Sequence, residues 1–132
     1  MLKLEIVTPE RKVIDAEVDS VTVPTMSGEA GILPNHAPLI SALKPGILSF
    51  TSKGASEKLA VAGGFVEVSA DRVSVLTDVA ERSDEIDLES ARSEREIAEK
   101  ELNALSAAAI EETEELRQSL EFANAKLSLG SQ

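Results

Sequence analysis

From Phe65 to Leu129 the chain contains neither glycine nor proline, whereas all five prolines precede residue 46 and six of the seven glycines precede residue 65. These two residues end helices and make turns, so their confinement to one side divides the chain into two architectures. The first part can hold only short elements joined by turns. The second is free to carry long helices. At 132 residues, the whole is one domain, or one domain with an appendage.

Residues 2–79 read as short strands. Leu2, Leu4 and Ile6 alternate with Lys3, Glu5 and Val7, and Val13, Ile14, Val18, Val21 and Val23 run up to Pro24. Ile47–Phe50, Leu59–Val61, Phe65–Val68 and Val73–Leu76 follow, each bounded by Gly, Ser, Lys or Asp. Runs of this length and spacing predict an antiparallel β-sandwich over residues 1–84. The stretch from Gly31 to Leu39, with the single histidine His36 between Pro34 and Pro38, reads as a stiff loop. Gly63-Gly64 reads as a tight turn or bulge.

The period changes over residues 85–132. Ser83-Asp84-Glu85-Ile86-Asp87 has the short polar cap and early acids of a helix start. Leu88, Ala91, Arg95, Ala98, Leu102 and Leu105 then follow alternating spacings of three and four, as do Thr113, Leu116, Leu120, Ala123 and Leu127. That pattern predicts two helices with narrow apolar seams, folded as an antiparallel hairpin that leans on the sandwich or on a partner for stability. Residues 1–84 carry 8 basic and 12 acidic side chains, and residues 85–132 carry 5 and 12, so the helices are the more acidic part.

Composition excludes much chemistry. A net charge of −11 does not suit a nucleic-acid surface, which needs clustered Lys and Arg. Without cysteine there is no disulfide, thiol nucleophile or Cys-ligated zinc, and one histidine cannot build a multi-histidine metal site. His36 is the only candidate base for a hydrolase, and no Gly-x-Ser-x-Gly elbow accompanies it. The acidic run Glu111–Glu115 lacks the spacing and glycine of a calcium loop and reads as a solvated helix face. No catalytic residue, metal or cofactor is expected. The opening strand pattern suggests no leader peptide, and no apolar run reaches membrane-spanning length.

Two blocks carry a resemblance. GEAGILPNHAPLISALKPG (28–46) and GGFVEVSADRVSVLTDVAE (63–81) resemble, in order, the characteristic segments of the epsilon subunit of F-type ATP synthases. The resemblance implies a rotor subunit of the central stalk that performs no chemistry. It further implies a sandwich face packed on the gamma subunit, and contact with the polar loops of the c-ring through Glu29 and His36. Gly28, Gly31, Pro34 and Pro38 would shape that contact segment. The hairpin would reach the alpha and beta subunits, and the protein would sit peripherally on the cytoplasmic side of the bacterial inner membrane.

The sequence departs from the resemblance in the hairpin. Members that bind ATP open the first helix with Ile/Leu-Asp-x-x-Arg-Ala, whereas here Ser90 stands in place of the arginine within Ile86-Asp87-Leu88-Glu89-Ser90-Ala91. Arg92 lies about 200° further round the helix. Asp87 and Arg92 are therefore the remaining candidates for an ATP site, which the acidic charge disfavours. Inhibition of ATP hydrolysis by the hairpin is expected to be weak, resting on Arg117, Lys126 or apolar contacts from Leu116, Leu120 and Phe122. The alternatives are a ligand-binding sandwich module with a helical interaction tail, disfavoured by the absence of Trp and Tyr, and a small hydrolase dependent on His36.

Overall fold

The computed structural model describes residues 1–104 and 110–130, including all their side chains except those of 110–113. Of the seam positions, Leu105 and the side chain of Thr113 therefore lie outside the described residues, as do the side chains of Glu111 and Glu112. Ten strands come first: β1 (Leu2–Val7), β2 (Lys12–Val18), β3 (Ser20–Thr25), β4 (Gly28–Ile32), β5 (Leu39–Leu43), β6 (Gly46–Ser52), β7 (Ala55–Val61), β8 (Gly64–Ser69), β9 (Arg72–Leu76) and β10 (Ala80–Arg82). A single 3-10 turn (Ser83–Glu85) leads into α1 (Leu88–Ala104) and α2 (Ile110–Gly130).

The strands pair in the order β10-β7-β6-β3-β5-β8-β9-β1-β2, with β4 on β3. Only Thr25 and Leu43 pair between β3 and β5, so the ladder folds there into two layers. Every pairing is antiparallel except β1–β9, which is parallel. A parallel neighbour needs a long connection, and most of the sandwich lies between these two strands in sequence. Alternation turns Leu2, Leu4, Ile6, Val18, Val21, Val23, Leu48, Leu59, Val61, Val66, Val68, Val73 and Val75 into the space between the layers, where each is at most 1 % exposed. Burying a side chain of this size contributes about 1.5–3 kcal/mol, and this repeated term holds the layers together.

The glycine- and proline-rich stretch contains two strands, β4 and β5, that the strand pattern did not mark, and the expected stiff loop lies between them at 33–38. Gly28 begins β4 with φ +121°, next to a turn whose Thr25 hydroxyl donates to the Gly28 carbonyl. Gly64 has a different reason. A Cβ there would lie 1.9 Å from the Leu76 carbonyl oxygen, and its φ is +117°. Only glycine lets β8 leave the preceding segment so close to the end of β9.

The two helices pack antiparallel along the expected seam. Ala91, Ala98 and Ala123 are buried, and Leu88, Arg95, Leu102, Leu116, Leu120 and Leu127 are half-buried. The cap of α1 is Asp87, later than the Ser83 start suggested by composition, because Ser83–Glu85 is used in the 3-10 turn. A second face of α2 rests on the sandwich. Ala125 and Leu129 form a small apolar cluster with Ala60, joined by half-buried Ile47, Ile86 and Phe122. Gly130 sits against Leu88 and Ile86, where a Cβ would lie 2.7 Å from Leu88 Cδ2.

Gly64→Ala should lower the free energy of unfolding by about 3 kcal/mol, through combined overpacking and left-handed backbone strain. Gly54→Ala, at φ +81° but in open space, should cost about 1 kcal/mol. Urea unfolding of the two variants side by side measures the difference.

Candidate functional site

The residues singled out from the sequence fall on three separate parts of the surface. Glu29 is exposed on β4 opposite Pro24, beside the β3–β4 turn, and its carboxylate makes no hydrogen bond or ion pair among the described residues. His36 lies beyond the other end of β4, and the extended chain from Glu29 to Leu33 covers ~13 Å. The structure does not join them directly. Gly31 lies within β4 with open space where a Cβ would be, and Pro34 and Pro38 are exposed on either side of the His36 turn.

That turn is firmly held. Asn35 takes a left-handed φ of +66°, and its N–H donates to Asp71 Oδ1 at 2.7 Å. Asp71 belongs to the tight β8–β9 turn, where Ala70 and Asp71 have φ of +50° and +60°, and its carbonyl accepts from Lys3 N–H at 2.9 Å. The His36 N–H donates to the Leu33 carbonyl at 3.2 Å, and Nδ1 lies 2.7 Å from the Ala37 carbonyl. A carbonyl only accepts, so Nδ1 carries a hydrogen in this arrangement and Nε2 is the nitrogen left for an outside partner. Leu33 beside it is 62 % exposed.

Asp87 and Arg92 form the second group. Asp87 Oδ1 accepts from the N–H groups of Glu89 (3.0 Å) and Ser90 (3.3 Å), while the Ser90 hydroxyl donates to Oδ2 at 3.1 Å. These bonds, the Ser90 backbone N–H first, hold the Asp87 carboxyl below its ordinary value. Ser90, at the position where arginine was expected, thus closes a local cap on α1. Arg92 is exposed, and no described contact brings it to Asp87. Just before this cap, Glu85 ties the junction to the sandwich. Its carboxylate accepts from the Arg82 N–H at 3.1 Å and from Arg11 Nη2 at 2.9 Å. The Arg82 bond is the main cause that lowers its pKa, with burial opposing and Arg11 assisting.

Two further features were not anticipated. The first is an apolar surface on the layer opposite the helices. Cross-strand pairing puts Ala42, Phe65, Leu76 and Val7 in one row over β5, β8, β9 and β1, all facing outward. Phe65 and Leu76 are 59 % and 57 % exposed, and Ile40 in the neighbouring row is 75 % exposed. A shallow cleft of about 460 Å³ borders the row, lined by Val7, Pro9, Phe65 and Leu76 among others. The signal lay in the strand phase: with Val66 and Val75 inward, Phe65 and Leu76 occupy positions normally given to polar residues. The second is Lys126, buried on α2 with its Nζ 2.6 Å from Glu94 and 3.9 Å from Glu81.

A chain built as this sandwich and helical pair matches a known class. Residues 1–83 match the family model described as ATP synthase, Delta/Epsilon chain, beta-sandwich domain, and the chain belongs to that family. Within it, the similarity is to epsilon chains. The ATP synthase epsilon chain of Desulforamulus reducens is 50 % identical over 102 residues, covering 77 % of each chain. That of Carboxydothermus hydrogenoformans is 54 % identical over 91 residues, covering 69 % of this chain and 68 % of the relative. Among solved structures, a chain of the Euglena gracilis mitochondrial ATP synthase OSCP/F1/c-ring matches with a TM-score of 0.82 at 25 % identity, over 99 % of this chain and 81 % of that one. A chain of the Tetrahymena thermophila mitochondrial ATP synthase central stalk and c-ring shares the fold, with a TM-score of 0.63 at 17 % identity, over 95 % of this chain and 96 % of that one.

Asp87 gives a pH test. Its folded pKa lies below the ordinary 3.8, so its contribution is complete above that value and is lost as pH falls through the depressed folded value. Asp87→Ala should remove this acid-side dependence and speed amide hydrogen exchange in the first turn of α1. Exchange at Glu89–Arg92, followed across acidic pH in both proteins, checks it.

Proposed function

We propose that this chain is a non-catalytic rotor subunit of the ATP synthase central stalk, seated on the gamma subunit by the outward face of β5, β8, β9 and β1. The observation that carries this reading is the exposed row of Phe65 and Leu76, with Ile40 in the neighbouring row, on the layer that the helices leave bare. Contiguous apolar side chains on an otherwise strongly charged protein mark an interaction surface. Membership of the epsilon chains and the likeness to a chain of a solved ATP synthase support a partner within that assembly. In this role the subunit transmits rotation, linking ion passage at the c-ring to ATP synthesis in the catalytic head.

The segment of Glu29 and His36 is the proposed c-ring contact. The fixed Asn35–His36 turn presents Nε2 and the exposed Leu33, and its rigidity reduces the entropy lost on docking. Glu29 offers a separate anionic point about one strand length away. Residues 1–84 would then be the docking unit and residues 85–132 the regulatory hairpin, with the protein peripheral on the cytoplasmic face of the membrane. No helix among the described residues is long and apolar enough to cross a bilayer.

In the hairpin, Asp87 serves as a helix cap and Lys126 is engaged internally, which supports reading it as a weak inhibitor that does not depend on ATP. Phe122 packs on the sandwich, leaving Leu116 and Leu120 in the seam. Contact with the alpha and beta subunits would therefore be limited while the hairpin is docked. Deleting residues 85–132 should change ATP hydrolysis by the reconstituted enzyme only slightly, and a many-fold rise would contradict this.

Two outward substitutions test the docking face. Phe65→Asp with Leu76→Asp should weaken binding to purified gamma subunit about a hundredfold, as expected for losing central apolar anchors. Ile97→Asp on α1, itself 57 % exposed, should leave binding unchanged. Titration calorimetry on both variants decides the matter, and equal affinities would remove the reading.

A further inference from the structure

Lys126 is 6 % exposed, although lysine is rarely buried without partners. Its ammonium lies where three elements meet. Nζ is 2.6 Å from Glu94 Oε2 on α1, 3.9 Å from Glu81 Oε2 on β10, and 4.7 Å from the centre of the Phe122 ring on α2 itself. The apolar seat beside it is small, with Ala60, Ala125 and Leu129 as its buried members, and it forms a cluster separate from the sandwich core.

Charge sharpens the point. Residues 85–132 carry 12 acids against 5 bases, and residues 1–84 also have an acidic balance. Docking the helices therefore brings like-charged bodies together. At the contact, Glu81 from the sandwich and Glu94 from α1 would face one another with Lys126 as the one base bridging them among the described residues. On α2 the other base, Arg117, is exposed and makes no ion pair among the described residues. Removing the buried base of this cluster is unfavourable, because the two carboxylates, 31 % and 51 % exposed, lose their shared compensation.

We propose that the Lys126 ammonium is the pin that seats the helical pair on the sandwich: while it bridges Glu94 and Glu81 the pair stays docked, and without it the pair lifts as a unit from a sandwich that remains folded. The inference rests on contacts within the chain and holds independently of the rotor reading. Glu94 is the side from which the cluster opens, since its side chain is 51 % exposed and Lys126's is 8 %. Water reaches the carboxylate first.

Hydrogen exchange measured by mass spectrometry on the full chain tests this. Lys126→Met keeps an unbranched apolar stem against Phe122 and deletes the charge. It should speed exchange at Leu88–Ala104 and Glu114–Gly130 by about tenfold or more, while β1, β8 and β9 keep their native protection. Glu94→Gln, a change at a half-exposed position, should act in the same direction more weakly. Adding Glu81→Gln and Glu94→Gln to Lys126→Met removes the repulsion and should restore slower exchange. Native protection in Lys126→Met, equal acceleration of the sandwich, or no restoration in the triple variant would each overturn the proposal.

Discussion

The inward phase of the strands governs everything else in this molecule. Leu4, Val18, Val21, Leu48, Leu59, Val66 and Val75 point between the layers because each strand alternates, and a slip of one residue would turn all of them outward. With no Trp or Tyr in the chain, the interior is filled by Phe50 and branched aliphatic side chains, which pack well on a pleated surface. Once that inner face is set, the outer faces are set too, and they differ. One carries Ile47 and Ala60 and is covered by α2; the other carries Phe65 and Leu76 and is bare. Two docking surfaces of opposite fate follow from a single periodicity.

Local patterns were the legible part of the sequence. Alternation identified β1, β8 and β9, and seam spacing placed Ala91, Ala98 and Ala123 at the helix contact, where they are buried. The blocks at 28–46 and 63–81 carried the resemblance to the family to which the chain belongs. What escaped depended on residues distant in sequence. β4 and β5 were hidden because Gly28, Gly31 and the intervening Pro34 and Pro38 have the composition of a loop, although β4 pairs back on β3 and β5 pairs with the distant β8. The parallel β1–β9 pair is equally non-local.

The candidate residues divide in the same way. The role of Asp87 as a cap depends on residues two and three positions ahead, so the Asp-x-x-Ser spacing held that signal. The surroundings of His36 depend on Asp71, which reaches Asn35 from the β8–β9 turn. Lys126 was the hardest to read. On α2 it is one charged residue at a position between two seam residues, and only Glu94 and Glu81 explain its burial.

The junction between the two parts is held at two points of unequal character. Arg11 and Glu85 are joined at 2.9 Å on the surface, with side chains 56 % and 38 % exposed. A surface pair of that kind is worth only about 0–1 kcal/mol. Glu85, however, also accepts from the Arg82 backbone and lies in the 3-10 turn before α1, which ties it to the end of β10. Lys126 lies near the far end of α2, enclosed and bonded to α1 and β10. Were the helical pair to lift as proposed, it would turn between Glu85 and the Asp87 cap, around Ile86, whose backbone is extended at φ −81° and ψ 126°. Because Ile86 also packs into the small apolar cluster beneath α2, the pivot and the seat are one structure. Loosening the seat frees the residue on which the pair would turn.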